Sequence, residues 1–518
     1  MTDPDVPSSG ETLDSGRLQD AALRGAAWTM IHTVVSVPIA FLVNLLLARI
    51  LDPEGYGRLA FLTTLITLAS SVLALGLAPA MIQFGAKAHA ARRTKVVTEI
   101  LASAQGFRLL IVAPVITILV LFMIQVPWIL LVLAVIFGVW VPAVLNSGPI
   151  ALTIENRTAA NAKIVLVLSL VVQASVVAAL LWFGTADSVW ATRVILTAIG
   201  MAPALWLISP PYRRAVLHPR LPKHFPPGFW RFAIPTGIAG LIGELVVSRT
   251  EVLFLQWLAT PTAVGLFALA FGVSSHIFAP AQALTGPLVP AVSGLREVSP
   301  NRVVDAFLRT LRASSVVTAL LIAGTVPALA LLVPLLYGEE YRSAAPAVLV
   351  LGVIGGFAVT SGPLSAFILA RLSARLFLVA NITALAIDVV LALALIPSLG
   401  LWGAIIANGA GTLTRLSVLF ISEVRALDLR MFDAFSTLLP TVVAAFACGF
   451  AWFTAGMVPT HVIIQSLVAA AVALALLLIG MRATHTGLTA ADSNALLRIA
   501  PSRLRPLFAP ILSWMEKR

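Results

Sequence analysis

The stretch LLLARILDPEGYGRLAFL (residues 45–62) joins two apolar segments through a short charged turn. A second stretch, LFLQWLATPTAVGLFALA (residues 253–270), repeats this order of apolar segment, turn and apolar segment. Three positions match at a constant offset of 208 residues: Pro53 with Pro261, Gly57 with Gly265, and Ala60 with Ala268. The chain therefore contains the same structural element twice.

The composition is that of a membrane protein. Hydrophobic residues make up 59% of the chain and charged residues 11%, with a mean hydropathy of +1.00. A soluble domain carries about 25% charged residues. Apolar segments of about 20 residues recur along the chain, and each is long enough to cross a bilayer core. Lipid offers no hydrogen-bond partners to the backbone, so these segments must be helices. We predict an all-α polytopic membrane protein.

We predict about fourteen transmembrane helices from the apolar segments. Their predicted ranges are 26–48, 58–82, 107–125, 128–150, 162–183, 188–209, 232–257, 263–286, 313–336, 344–369, 375–396, 401–421, 434–455 and 461–481. With a cytoplasmic N-terminus, 29 of the 34 Lys and Arg residues, Arg108 among them, fall on the inner side. Four fall on the outer side: Arg49, Arg58, Arg193 and Arg342. This asymmetry predicts that both termini are cytoplasmic.

The repeat predicts the domain organisation. An even number of spans separates the two copies, so both have the same orientation, as in transporters built from parallel repeats. We predict two parallel six-helix lobes at 23–209 and 232–421, joined by a cytoplasmic linker at 210–231. Helices 13 and 14 follow at 434–481. Residues 1–22 read as a disordered tail, and residues 482–518 as a basic tail that is either amphipathic at the membrane surface or solvated.

Several classes of site are not predicted. The net charge of +12 is distributed as membrane topology requires, so we expect no nucleic-acid partner. The single cysteine, Cys448, rules out an intramolecular disulfide, and the seven histidines lack ligand spacing, so we predict no metal site. The ATP-binding motif G-x-x-x-x-G-K-[ST] is absent, and we expect no cofactor. Any transport would then be driven by a gradient of H⁺ or Na⁺, by voltage or by consumption of the product.

Three stretches carry a resemblance to a known family. LARILDPEGYG (47–57) resembles the LAR-L-G-P-E-x-x-G signature of polysaccharide flippases, with Asp52 where the family has Gly. LLYGEEYRSAAPAVLVLG (335–352) and LIPSLGLWGAIIAN (395–408) resemble the turns before spans 10 and 12, although Ile405 replaces a small residue. The chain is thus similar to lipid-linked oligosaccharide flippases of the multidrug/oligosaccharidyl-lipid/polysaccharide exporter superfamily.

The resemblance implies a function. Such proteins carry undecaprenyl-pyrophosphate-linked oligosaccharide from the inner to the outer leaflet of the bacterial inner membrane, for the synthesis of cell-surface polysaccharide. Implied partners are the lipid-linked oligosaccharide, membrane lipids, and a polysaccharide polymerase and glycosyltransferases. The mechanism that we expect is alternating access, in which the cavity opens first inward and then outward while the lipid tail stays in the bilayer. The protein is then a transporter with no catalytic residues.

Two other functions stay open. A membrane glycosyltransferase places two acidic residues in its first outer loop, and Asp52 and Glu54 have that form. The second copy of the turn, Thr260-Pro261-Thr262, lacks both carboxylates, and an acidic helix start explains the same residues. A drug or cation antiporter of the same superfamily is the nearer alternative, because the charges within the predicted spans have both signs.

Charged residues within span 7 are the candidate cargo site. Glu244, Arg249 and Glu251 lie in an apolar context, and Arg249 is expected to pair with pyrophosphate oxygens. Counting from Trp230, we expect Glu244 to be embedded and Glu251 to reach the outer interface. Asn44 and Arg49 of the first repeat are further cavity candidates.

A second candidate site concerns the coupling ion. Asp388 and Asn381 are seven residues apart on one face of span 11, and we predict that they bind H⁺ or Na⁺. Asn408, Thr412 and Arg415 stack at helical spacing in span 12. For Asn408 and Thr412 we expect hydrogen bonds between helices.

Overall fold

The computed structural model of the protein describes residues 15–487 and 489, except for residue 75 and the segments 124–125, 222–224, 246–249, 284–287, 289–291, 294, 297–298 and 372–373. These residues form helices and no strand. Twelve helical segments among them are long and apolar enough to cross a membrane. The prediction of an all-α, multi-pass membrane protein is therefore confirmed.

The chain forms two compact units. The first contains the described part of Met1–Leu51 together with Leu59–Glu244. Its helices are α1 (Ser15–Ala74), α2 (Leu77–Ala90), α3 (Thr94–Phe107), a π-helix (Arg108–Val112), α4 (Ala113–Met123), α5 (Trp128–Leu133), a second π-helix (Ala134–Trp140), α6 (Val141–Leu145), α7 (Ser147–Ile154), α8 (Thr158–Phe183), α9 (Ala186–Ile199), α10 (Ala202–Leu207), α11 (Pro210–Leu217) and α12 (Phe229–Glu244).

The second unit contains the turn Asp52–Arg58 and the described part of Leu245–Arg518. Its helices are α13 (Thr250–Leu258), α14 (Pro261–Ala283), a 3₁₀ turn (Pro300–Arg302), α15 (Val303–Tyr337), a second 3₁₀ turn (Glu339–Ala344), α16 (Ala345–Ala370), α17 (Ala374–Leu399), α18 (Leu401–Ala426), α19 (Met431–Ser436), α20 (Leu439–Gly456) and α21 (Val462–Ala483). The two lobes inferred from the repeat stay a prediction.

The number of spans differs from fourteen for two reasons. Predicted span 1 and most of predicted span 2 lie in one long helix, α1, which is kinked at Asp52. Predicted span 7 is divided between α12, which ends at Glu244, and α13, which begins at Thr250. Residues 246–249 lie outside the described residues. The count of fourteen membrane helices therefore stays a prediction.

The assignment of Arg108 to an inner loop was wrong. The third span begins at Thr94 rather than near residue 107, because the helical backbone runs from α3 through the π-helix into α4. Arg108 lies inside this run and is 2% exposed. Arg415, also counted on the inner side, lies within α18. The remaining inner residues keep the asymmetry on which the topology rests.

The charged turn of the first repeat is a helix start. Asp52 has a positive φ of 58° and begins the second half of α1, where its Oδ1 accepts a hydrogen bond from the Gly55 N–H at 2.9 Å. Thr260 does the same before α14, since its Oγ1 accepts from the Ala263 N–H at 3.2 Å. A capping residue followed by proline is a favoured way to begin a helix. Capping therefore accounts for Asp52 without a role in glycosyl transfer.

The C-terminal helices pack within the second unit. Cys448 of α20 is fully buried in an apolar cluster that also contains Ala319 of α15 and Leu477 of α21. A buried hydrogen bond of 2.8 Å joins the hydroxyls of Ser315 and Thr441. Large apolar side chains are exposed on the surface of the helices, with Trp182 of α8 85% exposed and Phe446 of α20 77% exposed. Large exposed apolar side chains are expected where lipid is the solvent.

Candidate functional site

Three helices of the second unit bring polar side chains together in an apolar environment. Glu251 lies in the first turn of α13, Asp388 in the middle of α17, and Asn408 in α18. Their exposed fractions are 0%, 1% and 3%, respectively. We call these three residues the carboxylate cluster.

Hydrogen bonding within the cluster is incomplete. Asn408 Nδ2 donates to Glu251 Oε1 at 2.6 Å, and the Asp388 carboxyl lies beside that of Glu251. Thr250 lies beside Asp388, but its hydroxyl donates to the Leu245 carbonyl at 3.0 Å. Among the described residues, no donor reaches Asp388 Oδ1, Asp388 Oδ2 or Glu251 Oε2. Three buried carboxylate oxygens thus converge without a proton donor.

This arrangement is suited to binding a proton or a small cation. Two adjacent carboxylates repel each other, and burying an uncompensated charge is costly. A shared proton satisfies both groups, and a small hard cation does so through oxygen ligands. The Asn408 amide holds one Glu251 oxygen in place, so the other oxygens remain available to the ion.

Local sequence explains how α17 and α18 approach each other. They form a tight hairpin at Gly400, whose φ of 52° is unfavourable for residues with a side chain. Gly411 of α18 faces Asp388, and a Cβ atom at this glycine would lie 3.1 Å from the Asp388 Cβ. The absence of a side chain at Gly411 therefore gives Asp388 its place between the helices.

Only one of the two predicted coupling residues lies in the carboxylate cluster. Asp388 lies in the cluster, whereas Asn381 is two turns away, about 10 Å along the helix. Asn381 is fully buried, and its amide has no hydrogen-bond partner among the described residues. The expected interhelical role of Asn408 is confirmed by its bond to Glu251.

The predicted cargo residues are spread over both units. Glu251 is fully buried, because α13 packs against α17 and α18, and its position at the outer interface stays a prediction. Glu244 ends α12 in the first unit, and Arg249 lies outside the described residues. Asn44 is half-buried and Arg49 is exposed, both in the first half of α1.

A cavity of about 270 Å³, which we call the C-terminal cavity, adjoins the cluster. It lies between α14, α16 and α18, and Asn408 forms part of both the cluster and the cavity wall. The other polar lining residues are Ser274, Ser275, Gln282, Ser361, Thr412 and Arg415. The column of polar residues predicted in span 12 therefore faces this cavity.

The first unit contains a cavity of about 290 Å³. Its wall includes the Trp190 ring, the Asn146 amide, the Arg193 side chain and four hydroxyls, from Thr63, Thr67, Ser70 and Thr197. The Trp190 Nε1–H is buried and has no acceptor among the described residues. This cavity could not be predicted from the sequence, because its residues come from three separate predicted spans.

Two further polar clusters, each with a buried charged side chain, were not predicted from the sequence. In the first unit, Arg108 Nη1 donates to Ser147 Oγ at 3.0 Å, and Ser147 Oγ donates to Gln105 Oε1 at 2.7 Å. In the second unit, the fully buried Glu423 carboxylate pairs with Arg296 at 3.0 Å and with Arg371 at 3.2 Å. The available signals were Gln105 and Arg108 beside an apolar segment, and Glu423 near the end of span 12.

Comparison with solved structures identifies the fold. The chain is similar to the lipid II flippase MurJ in an inward closed conformation, with a TM-score of 0.65 and 13% identity over 88% of this chain and 99% of that one. It is also similar to a multidrug resistance MATE family transporter of the MOP superfamily in an inward-facing conformation, with a TM-score of 0.53 and 15% identity over 77% and 99% of the two chains.

A third similar structure is a MOP superfamily transporter from Pyrococcus furiosus, described as having a binding pocket of reverse polarity. The TM-score is 0.55, with 17% identity over 81% of this chain and all of that one. At these identities the likeness is one of fold: the chain has the architecture of the multidrug/oligosaccharidyl-lipid/polysaccharide exporter superfamily. No curated protein matches it in sequence.

Membership of a family follows from the sequence match. The model of the family described as polysaccharide biosynthesis protein matches residues 22–295, which is 274 of the 518 residues and thus more than half of the chain. The matched range includes both copies of the repeated turn. This match shows that the chain belongs to the polysaccharide biosynthesis protein family.

Proposed function

We propose that the protein flips undecaprenyl-pyrophosphate-linked oligosaccharide from the inner to the outer leaflet of a bacterial inner membrane, driven by a cation that binds the carboxylate cluster. The observation that carries this proposal is the buried pair Glu251 and Asp388, in which three oxygens lack a hydrogen-bond donor. Ionisable groups inside a membrane are costly, and they usually mark a transport pathway.

The family match and the first-unit cavity support a glycan cargo. Sugars bind to sites rich in hydroxyl and amide hydrogen-bonding groups, and the first-unit cavity offers four hydroxyls and the Asn146 amide. We propose that Arg249, with Glu244 as its counter-charge, binds the pyrophosphate, because a guanidinium forms paired hydrogen bonds with phosphate oxygens. Asn44 and Arg49 complete the proposed cargo path.

Transport by alternating access requires a group whose charge changes between the two states. A cation in the carboxylate cluster neutralises at least one buried charge, and this changes the relative stability of the inward-open and outward-open states. H⁺ and Na⁺ both fit the oxygen-rich cluster. The glycan and pyrophosphate would pass through the polar interior, and the lipid tail would remain in the bilayer.

A depletion experiment tests the proposed cargo. Cells lacking the protein should accumulate undecaprenyl-pyrophosphate-linked oligosaccharide in the inner leaflet, measured by mass spectrometry of extracted lipids. Wild-type protein should reverse the accumulation, and Asp388→Asn should not, although it should reach the membrane in normal amounts. Unchanged levels of lipid-linked oligosaccharide in the depleted cells would contradict the proposal.

A drug or cation antiporter is the second candidate, and the acidic character of the carboxylate cluster favours it. In that case depletion would sensitise cells to cationic drugs and leave lipid-linked oligosaccharide unchanged. Measuring both in the same depleted cells separates the two functions. Under the flippase proposal, both termini are cytoplasmic, and the physiological partners are membrane lipids, a polysaccharide polymerase and glycosyltransferases.

A further inference from the structure

Arg415 is the one charged side chain among the described residues that line the C-terminal cavity. It lies in α18, two helical turns beyond Asn408, and is partly buried. The cavity wall around it contains the hydroxyls of Ser275, Ser361 and Thr412 and no carboxylate. The cavity therefore has a positive group and hydroxyl donors on its surface.

Arg415 differs from the two arginines that pair with Glu423 in the same unit. Arg296 and Arg371 share the Glu423 carboxylate, whereas no described carboxylate forms an ion pair with Arg415. Its Nε atom is buried and has no hydrogen-bond acceptor among the described residues. One face of the guanidinium lies 5.7 Å from the centre of the Phe377 ring, a contact that holds the group without neutralising it.

We infer that the C-terminal cavity binds a phosphate-class anion, with Arg415 as its charged ligand and the hydroxyls of Thr412 and Ser275 as further donors. A guanidinium is suited to this role, because its planar N–H donors match the oxygens of a phosphate. The inference deepens the proposed function and rests on it: the expected anion is the pyrophosphate of the lipid-linked cargo, and Arg415 provides a second site for it besides the one proposed at Arg249. A free anion would use the same chemistry.

Asn408 connects this cavity to the carboxylate cluster. Seven residues separate Asn408 from Arg415, which is about 10 Å along the helix axis. At this distance an anion at Arg415 and a negative charge on the cluster repel each other enough to change binding on the order of tenfold in a protein environment. Occupation of the cluster by a cation should therefore strengthen anion binding, and by linkage the anion should strengthen cation binding.

The test measures equilibrium binding of radiolabelled inorganic pyrophosphate to the full-length protein in zwitterionic nanodiscs, with a metal chelator present. Arg415→Gln should lose binding, and Arg415→Lys should keep part of it. Arg425→Gln is the matched control, because Arg425 is exposed in the last turn of the same helix. The double variant Glu251→Gln/Asp388→Asn removes both carboxylates of the cluster and should bind pyrophosphate about tenfold more tightly than wild type.

A second variant guards against misfolding. Ser275→Phe fills the cavity without changing its charge, and it should also lose pyrophosphate binding while eluting as a single species in size-exclusion chromatography. Geranyl pyrophosphate is the second probe: tighter binding than pyrophosphate assigns the cavity to a prenyl-linked headgroup, and equal binding assigns it to a free anion.

The outcomes separate the two proposals. Pyrophosphate binding that is equal in wild type, Arg415→Gln and Ser275→Phe would overturn the anion site, even if depletion shows that the protein flips lipid-linked oligosaccharide. Binding that depends on Arg415 would support the site, even if depletion leaves lipid-linked oligosaccharide unchanged and the proposed cargo fails.

Discussion

Gly57 and Gly265 pack directly against each other, each beneath the proline of the other repeat. A Cβ atom on Gly57 would overlap the Pro261 carbonyl oxygen, and one on Gly265 would overlap that of Pro53. The contact is reciprocal, as expected for two copies of one element related by an approximate two-fold axis. The glycines that first revealed the repeat are thus required where the two copies meet.

Alanine at either glycine should disrupt this contact. The added Cβ would meet backbone atoms, which cannot move aside as a flexible side chain can. We expect Gly57→Ala and Gly265→Ala each to lower the free energy of unfolding by about 1–3 kcal/mol, the usual range for overpacking. Gly449→Ala is the matched control, because nothing lies within 4 Å of a Cβ atom there. Reversible denaturant titration in mixed micelles measures the difference, and equal values for all three variants would contradict the prediction.

Neutralising the carboxylate cluster should abolish ion coupling. An imposed H⁺ or Na⁺ gradient should stimulate wild-type flipping in proteoliposomes, because the cation binds the cluster and changes the balance between the inward-open and outward-open states. Asp388→Asn and Glu251→Gln should lose this stimulation. Asp305→Asn should keep it, because Asp305 is an exposed residue paired with Arg309. An Asp388→Asn variant that responds normally to both gradients would show that Asp388 is structural.

The arginine of the second repeat should be essential for cargo transport. Arg249 has no charged counterpart in the first repeat, where Phe41 occupies the matching position. We expect Arg249→Ala to abolish flipping and Arg249→Lys to retain a fraction, because lysine supplies the charge but not the paired hydrogen bonds. Flipping assays on equal amounts of membrane-inserted protein measure this. Normal flipping by Arg249→Ala would contradict the phosphate role.

Labelling of single cysteines should reveal the predicted topology. In a Cys448→Ser background, cysteines replacing Glu54, Glu340 and Ser398 should react with an impermeant maleimide in intact cells. Cysteines replacing Arg92, Arg220 and Arg302 should react only after the cells are opened. All six positions are exposed in the structure, so a lack of reaction reflects the side of the membrane. Labelling from outside at Arg220 would overturn the span assignment in the first half.

The buried arginine of the first unit should depend on its hydroxyl partner. Ser147→Ala would leave Arg108 Nη1 and Gln105 Oε1 without their hydrogen bonds in a buried site. Leaving buried polar groups unpaired costs about 1–3 kcal/mol, so we expect thermal unfolding at a clearly lower temperature. Ser188→Ala serves as the control, because Ser188 forms its hydrogen bonds at an exposed position. Equal unfolding temperatures would show that water replaces the lost hydroxyl.

Much of the fold followed from local sequence. A helix must satisfy its own backbone in lipid, so each long apolar segment could be read as a helix without knowledge of its neighbours. The turns also depend on local sequence. Asp52 and Thr260 accept hydrogen bonds from backbone N–H groups three residues later, and Gly400 adopts the positive φ of a tight turn. Local sequence gave the wrong prediction for Arg108. This arginine lies at the edge of an apolar segment and was assigned to a loop, but the helix continues through it.

The partners of the charged residues were decided by the tertiary structure. Helical spacing grouped Asp388 with Asn381, because both lie on one face of one helix, but the structure pairs Asp388 with Glu251, 137 residues earlier in the chain. In the same way, helical spacing showed only that Arg415 stacks with other polar residues of α18. The structure shows that α14 and α16 form a cavity beside it. Local sequence was enough to show which segments are helices, since hydropathy and capping act over a few residues. Which of these groups meet depends on how distant helices pack, and small residues such as Gly411 set that packing without any local signal of the partner.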